Sequence, residues 1–236
     1  HDESGERHVH LHNIREAAHG LTALIRRGDG HADEWGRRMV RRLLRAIDEE
    51  GQIDLAKLPD YVGEYNWQPS QEGRAVDALV RLFRLTGDEA ALELAGRMVR
   101  YARNHCFTEA GQIREEAGSH GHSLTAMVAG MADYALVTRD AELLLWVKRI
   151  YDVGCPRFNS SFGWSMESLH KHDQRGESNN TGDLLRAALL LGKAGWSECF
   201  EDAERILRGH LLPSQLLDVG DLPDEEAEED ARSRLA

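Results

Sequence analysis

The 236 residues amount to one large domain, and 41% hydrophobic with 30% charged residues is the balance of a globular chain with enough apolar material for a core. Twenty-nine basic residues against 41 acidic ones leave a net charge of −12, which argues against a nucleic-acid partner, because phosphate backbones are met by basic stripes. No apolar run approaches the roughly 20 residues of a membrane span, no charged-then-apolar signal segment opens the chain, and the three scattered cysteines form no CxxC and no disulfide framework. The expectation is a soluble protein, cytoplasmic or secreted.

In chain order, the elements repeat. A first apolar segment turns at Gly28-Asp29-Gly30 within Gly20–Leu44. A second unit, Leu79–Ala102, turns at Gly87-Asp88; a third, Met131–Gly154, turns at Arg139-Asp140; a fourth, Ala187–Leu212, turns near Gly195. The turns recur every 52 to 59 residues, the length of a helical hairpin plus a return loop. Apolar spacing inside each unit is helical, as in Leu79, Leu82, Phe83 or Leu143, Val147, Ile150. The first helix of each pair is richer in Ala and Gly (Ala126, Ala129, Gly130, Ala187, Ala188), which suits an inner layer, and the second is amphipathic, which suits an outer one. The predicted fold is therefore all-α, an α/α toroid of about four helical hairpins, incomplete because a six-hairpin ring needs more than about 300 residues. This domain is expected over 1–216. Residues 218–236 carry eight acidic residues against two Arg, so 217–236 is predicted to be a disordered acidic tail.

Parallel hairpins send every long return loop to one end of the ring, ahead of an inner helix. The unusual residues collect there: His8, His10 and His12; Tyr65 and Trp67; Glu115, Glu116, His120 and His122; then Phe162, Trp164, Glu167, Arg175, Glu177, Asn179 and Asn180. The short turns within hairpins carry only Gly, Asp and capping chemistry. Carboxylates in glycine-bearing loops beside aromatics suit acid catalysis, and a carboxylate pair flanking a sugar bond is the usual requirement for glycoside hydrolysis. Glu115, Glu116, Glu167 and Glu177 are the catalytic candidates; helix N-terminal charge compensation is the plainer account of any one of them. Tyr65, Trp67 and Trp164 offer flat faces to sugar rings, and His120, His122, Asn179, Asn180 and Arg175 offer polar contacts. One of the two Asn can instead cap a helix predicted to start near Thr181.

No metal or cofactor is expected. The alternate spacing of His8, His10 and His12, or of His120 and His122, could put two imidazoles on one ion, but a third ligand is not fixed. Trp35, Trp146 and Trp196 fall on helices or turns and are expected to pack. Cys106 and Cys155 follow the second helices of successive hairpins and look repeat-equivalent; with no basic cluster beside them, neither suits a catalytic thiolate. Nucleophile-elbow, P-loop, dinucleotide and His-Glu-x-x-His motifs are absent.

Ser119-His120-Gly121-His122-Ser123 with its following helix, the Leu85-Thr86-Gly87-Asp88 turn, and Arg175–Asp183 with Ala187–Gln215 resemble the helical barrel of carbohydrate-active α/α-toroid proteins, in particular the glycoside hydrolase family 127 (β-L-arabinofuranosidase-like) superfamily. The resemblance spans most of residues 8–216. It implies retaining hydrolysis of arabinofuranosides, in which a zinc-bound Cys is the nucleophile within a Glu-plus-Cys cluster. The cysteines here are not clustered, so what carries over is the fold and a carbohydrate pocket. Members of that family usually continue into β-rich domains, and the acidic tail suggests a trimmed chain.

Three functions follow: a glycoside hydrolase acting on an oligo- or polysaccharide through the loop carboxylates; a polysaccharide lyase or sugar epimerase, with His or Tyr as base and Asn179, Asn180 and Arg175 steadying an enolate; or a non-catalytic helical-repeat module. The partner is a carbohydrate in the first two. A uronic-acid substrate would favour the lyase. The oligomeric state is left open.

Overall fold

The computed structural model describes residues 11–54, 57, 73–169 and 175–215. Among the described residues eight α-helices pair into four hairpins: α1 (Leu11–Arg26) with α2 (Gly30–Ala46), α3 (Val76–Thr86) with α4 (Glu89–His105), α5 (Gly121–Thr138) with α6 (Ala141–Val153), and α7 (Ser178–Lys193) with α8 (Glu198–Ile206). The described residues hold isolated bridges rather than strands. None of the described helices is long and apolar enough to cross a membrane.

Each tight turn is built from the residues that mark it in the sequence. Asp29, Asp88 and Asp140 sit at the N-caps of α2, α4 and α6, and each accepts a hydrogen bond from a backbone N–H of the first turn. Ahead of each of these caps the chain turns through a positive φ, at Gly28 (85°), Gly87 (67°) and Arg139 (56°). The fourth turn departs from this pattern: Ser197 precedes α8 and makes no side-chain cap.

Helices α1, α3, α5 and α7 lie side by side as the inner layer, each backed by its own partner outside. α5 sits between α3 and α7 and has no solvent face over Gly121–Asp133, which is why its apolar periodicity is lost in the sequence. Close approach needs small residues: a Cβ on Gly130 would stand 2.8 Å from the backbone nitrogen of Asp77 on α3. Trp146 is fully buried and donates Nε1–H to the carbonyl of Thr108, and Trp196 packs at the core edge. Trp35 does not pack as expected. It lies on the outer helix α2, 54% exposed, with His31 stacked beside it.

The return loops contain a second repeat. Residues 47–53, 107–113 and 159–165 each form a small hairpin closed by an antiparallel bridge, Ile47 to Ile53, Phe107 to Ile113 and Asn159 to Ser165. Their hydrogen bonds correspond one to one: Asp54, Arg114 and Met166 donate N–H to the carbonyls of Ala46, Cys106 and Phe158. Phe158, not Cys155, therefore occupies the place of Cys106, because the extra 3-10 turn Cys155–Arg157 intervenes. The turn glycine of each hairpin presses on the next outer helix. At Gly111, φ is +84° and a Cβ would stand 2.5 Å from the carbonyl oxygen of Arg149 on α6; Gly51 and Gly163 meet α4 and α8 in the same way.

Candidate functional site

The N-terminal ends of the inner helices and the return loops share one end of the molecule. Arg74 stands in the 3-10 turn Gly73–Ala75 just before α3; His120 and His122 open α5; Glu177, Asn179, Asn180 and Asp183 open α7; Arg15 and His19 come from α1. Helix α7 begins at Ser178, three residues earlier than predicted. Asn180 is thus inside the first turn, where it donates Nδ2 to the carbonyl of Met166 at 2.6 Å instead of capping.

At the mouth, Glu177 and His120 face each other, with Nε2 to Oε2 at 3.7 Å and side chains 26% and 33% exposed. Asn179 donates to Glu177 Oε1 at 3.1 Å, while Oε2 is buried without a hydrogen-bond partner. The other ring nitrogen of His120 is 2.8 Å from Ser123 Oγ. Burial pushes the His120 pKa below its usual value although Glu177 pulls the other way, so the ring is neutral near pH 7. Glu167 is half-buried and its charge also acts on His120; its carbonyl accepts from the N–H of Gly121 at 2.7 Å.

One level deeper, His122 is 3% exposed with Nδ1 2.8 Å from Asp183 Oδ2. An ionised carboxylate only accepts, so the proton sits on Nδ1. Thr125 Oγ1 donates to the same oxygen at 3.1 Å, and Arg15 lies 3.7 Å from Oδ1. Below this an ion network lines the inner face: Asp77 holds Arg186, Arg15 and His19, and Asp133 is bound by Arg186 at 2.6 Å and Arg84 at 2.5 Å. Burial opposes the charge on Asp77, but the His19 hydrogen bond with Arg186 and Arg15 holds its carboxyl well below the usual range.

Of the other sequence candidates, Glu115, Glu116 and Phe162 lie on separate turns, Trp164 and Arg175 flank the segment that carries Glu167 and Glu177, and several lie outside the described residues. Glu115 and Glu116 are exposed on the 3-10 turn Glu115–Ala117; Glu115 borders a separate cavity of about 210 Å³ with Arg157 and Leu169. Trp164 is half-buried against Gly176, where a Cβ would touch its Nε1 at 2.1 Å. Arg175 is exposed and its carbonyl accepts from Glu167 N–H at 2.8 Å. Phe162 is exposed at the hairpin tip, its carbonyl against Gly209. Tyr65, Trp67, His8, His10 and the side chain of His12 lie outside the described residues. His120 and His122 are set with rings 6.2 Å apart at 83°, each tied to its own partner. Among the described residues no three His, Cys, Asp or Glu side chains group closely enough to hold a metal. Arg74, Arg15, Asp77, Asp133 and Arg186 were not singled out from sequence. The legible signal was a charge inside an apolar inner helix, as at Asp133 between Ala132 and Tyr134.

Residues 51–222 match the family described as β-L-arabinofuranosidase, GH127 catalytic domain. The chain belongs to this family. Three solved structures share its fold. A Lin0763 protein from Listeria innocua aligns with TM-score 0.63 and 14% identity over 91% of this chain and 60% of its own. An inactive α-1,6-mannanase variant, GH76A of Salegentibacter sp. HEL1_6, in complex with α-1,6-mannotetrose, gives 0.68, 18%, 91% and 64%. The unsaturated glucuronyl hydrolase of Bacillus sp. GL1 gives 0.59, 14%, 84% and 61%. The chain thus spans about three fifths of the length of these proteins, and the likeness shows the fold, an all-α toroid. No curated protein matches it.

The zinc-thiolate cluster implied by the family resemblance does not fit the residues present. Cys106, Cys155 and Cys199 are all buried within the apolar core, none of them in a disulfide. Burial pushes Cys155 up to about 12 and Cys199 up to about 11, the opposite of what a metal-ligating thiolate needs.

Proposed function

We propose that this chain forms the sugar-binding and catalytic end of a glycoside hydrolase acting on an oligo- or polysaccharide, at the mouth where α3, α5 and α7 begin. The observation that carries this is Glu177, one oxygen held by Asn179 and the other unbonded and turned toward His120. A carboxylate so placed can pass a proton to or from a sugar oxygen, the central demand of glycosidic cleavage. Glu167 is the nearest candidate for a second carboxylate, and neutral His120 can hydrogen-bond a hydroxyl. The family membership supports a sugar substrate, as do structural neighbours described as a mannanase and a glucuronyl hydrolase.

The test is Glu177→Gln, followed by reducing-sugar release from a panel of arabinofuranosides and hexosides. The expected outcome is a kcat lowered about 10²- to 10⁴-fold with KM little changed. Wild-type turnover by the variant overturns the assignment. A lyase or epimerase is the second reading, favoured by the His122–Asp183 pair, since a carboxylate-oriented imidazole is a ready base. Products with a new C=C bond, detected by ultraviolet absorbance, would establish the lyase.

A further inference from the structure

We infer that this mouth takes a sugar bearing a carboxylate, a uronate, with Arg74 as the anchor for its charge; the inference rests on the sugar-site assignment made above. Arg74 is 3% exposed, and its Nε and Nη2 are buried without any hydrogen-bond partner. Arg15 and Arg186, which also face the interior, each have a carboxylate within 4 Å. Among the described residues Arg74 has none, yet its charge acts on His120, and the charges of Arg15, Glu16, Asp183 and Glu177 act on it, which puts it near the mouth. Asp183 holds His122, Thr125 and Arg15 rather than Arg74.

The helix ends around Arg74 agree with this. The outer helices α2, α4 and α6 are closed by Asp side chains, whereas α3, α5 and α7 have no side-chain cap. The uncapped starts of α5 and α7 and the partnerless guanidinium ahead of α3 therefore face the same end of the molecule. Beside them are buried acceptors without donors, Glu177 Oε2 and Asn180 Oδ1. Donors waiting for an anion next to acceptors waiting for hydroxyls are the complement of a sugar acid. A neutral sugar would satisfy the acceptors and leave the guanidinium alone. A guanidinium and a carboxylate match as a two-pronged pair.

The experiment is calorimetric binding by the full chain of three probes: a glucuronate or galacturonate disaccharide, its methyl ester, and its carboxyl-reduced alcohol. The expected result is binding of the acid at least tenfold tighter than of the ester or alcohol, with the preference shrinking as salt rises. Arg74→Gln should bring the three together by weakening the acid alone, and Arg74→Lys should keep part of the preference. Equal binding of the three by the wild-type chain overturns the uronate inference and leaves the sugar site standing. Binding of none of them, alongside binding of neutral arabinosides, also overturns it. Failure of every sugar overturns the site assignment itself. The wild-type comparison decides the matter even if Arg74→Gln does not fold.

Discussion

Replacing Gly111 with Ala tests whether the return hairpins are seated on the outer helices as described. At φ +84° an L-residue is strained by about 1–2 kcal/mol. The new Cβ would also stand 2.5 Å from the Arg149 oxygen, 2.6 Å from its carbon and 2.8 Å from the Ile150 nitrogen. These are atoms of helical backbone, which cannot turn aside like the end of a side chain, so the helix or the loop must shift at a further cost of about 1–3 kcal/mol. The total, about 2–5 kcal/mol, is a large part of the roughly 5–15 kcal/mol that stabilises a domain. The matched control is Gly182→Ala on α7, where nothing lies within 4 Å of the new methyl group; there the gain in helix propensity, about 0.8–1 kcal/mol, should stabilise. Urea unfolding of both variants gives the comparison. A Gly111→Ala protein within about 0.5 kcal/mol of wild type would refute the seating, whatever Gly182→Ala does.

The ion network predicts a pH effect. Because the folded pKa of Asp77 is depressed, its contribution is full above the unfolded carboxylate value of about 3.9 and is lost as pH falls below it. Asp77→Asn should cost about 3–5 kcal/mol at pH 7, leaving Arg186 without one of its carboxylates. The gap to wild type should narrow by pH 3, and an unchanged gap between urea curves at the two pH values would argue against it. Asp183→Asn should remove the charge assistance to His122 and lower stability by about 1.5–3 kcal/mol, with the melting temperature down by about 2–4 °C per kcal/mol; no shift would mean that the pair does not form. The thiols of Cys106, Cys155 and Cys199 should react with a disulfide reagent only when the chain unfolds. Fast labelling of the native protein would contradict their burial.

The hairpins were legible because their turns need residues with a backbone signature: an Asp caps the second helix in three units, with Gly ahead of it in two and Arg139 in the left-handed region in the third, while Gly195 marks the fourth turn. The return hairpins had a comparable mark, Gly51-Gln52-Ile53 and Gly111-Gln112-Ile113, but the third copy, Gly163-Trp164-Ser165, shares only the glycine and masks the repeat. At the site, His120, His122, Glu177, Asn179 and Asn180 stood out because they sit in polar loops beside glycine. Arg74 did not, since only the rotation of α3 against α5 and α7 decides that its side chain turns inward. Glu115 and Glu116 looked equivalent to Glu177 in sequence. They part from it because the 3-10 turn that carries them faces solvent, whereas Glu177 is held at a helix start by Asn179.

The carboxylates of the inner layer have a consequence for the order in which the chain can become stable. Asp77 on α3 and Asp133 on α5 both hold Arg186, a residue of the fourth hairpin. The first three hairpins, emerging earlier during synthesis, can form their apolar contacts but carry these two interior anions with part of their counter-charge still to come. A fragment ending before α7 should therefore stay loose along its axis, with slow hydrogen exchange confined to the α3–α4 and α5–α6 contacts. The arrival of a single arginine on α7 then tightens two earlier hairpins at once.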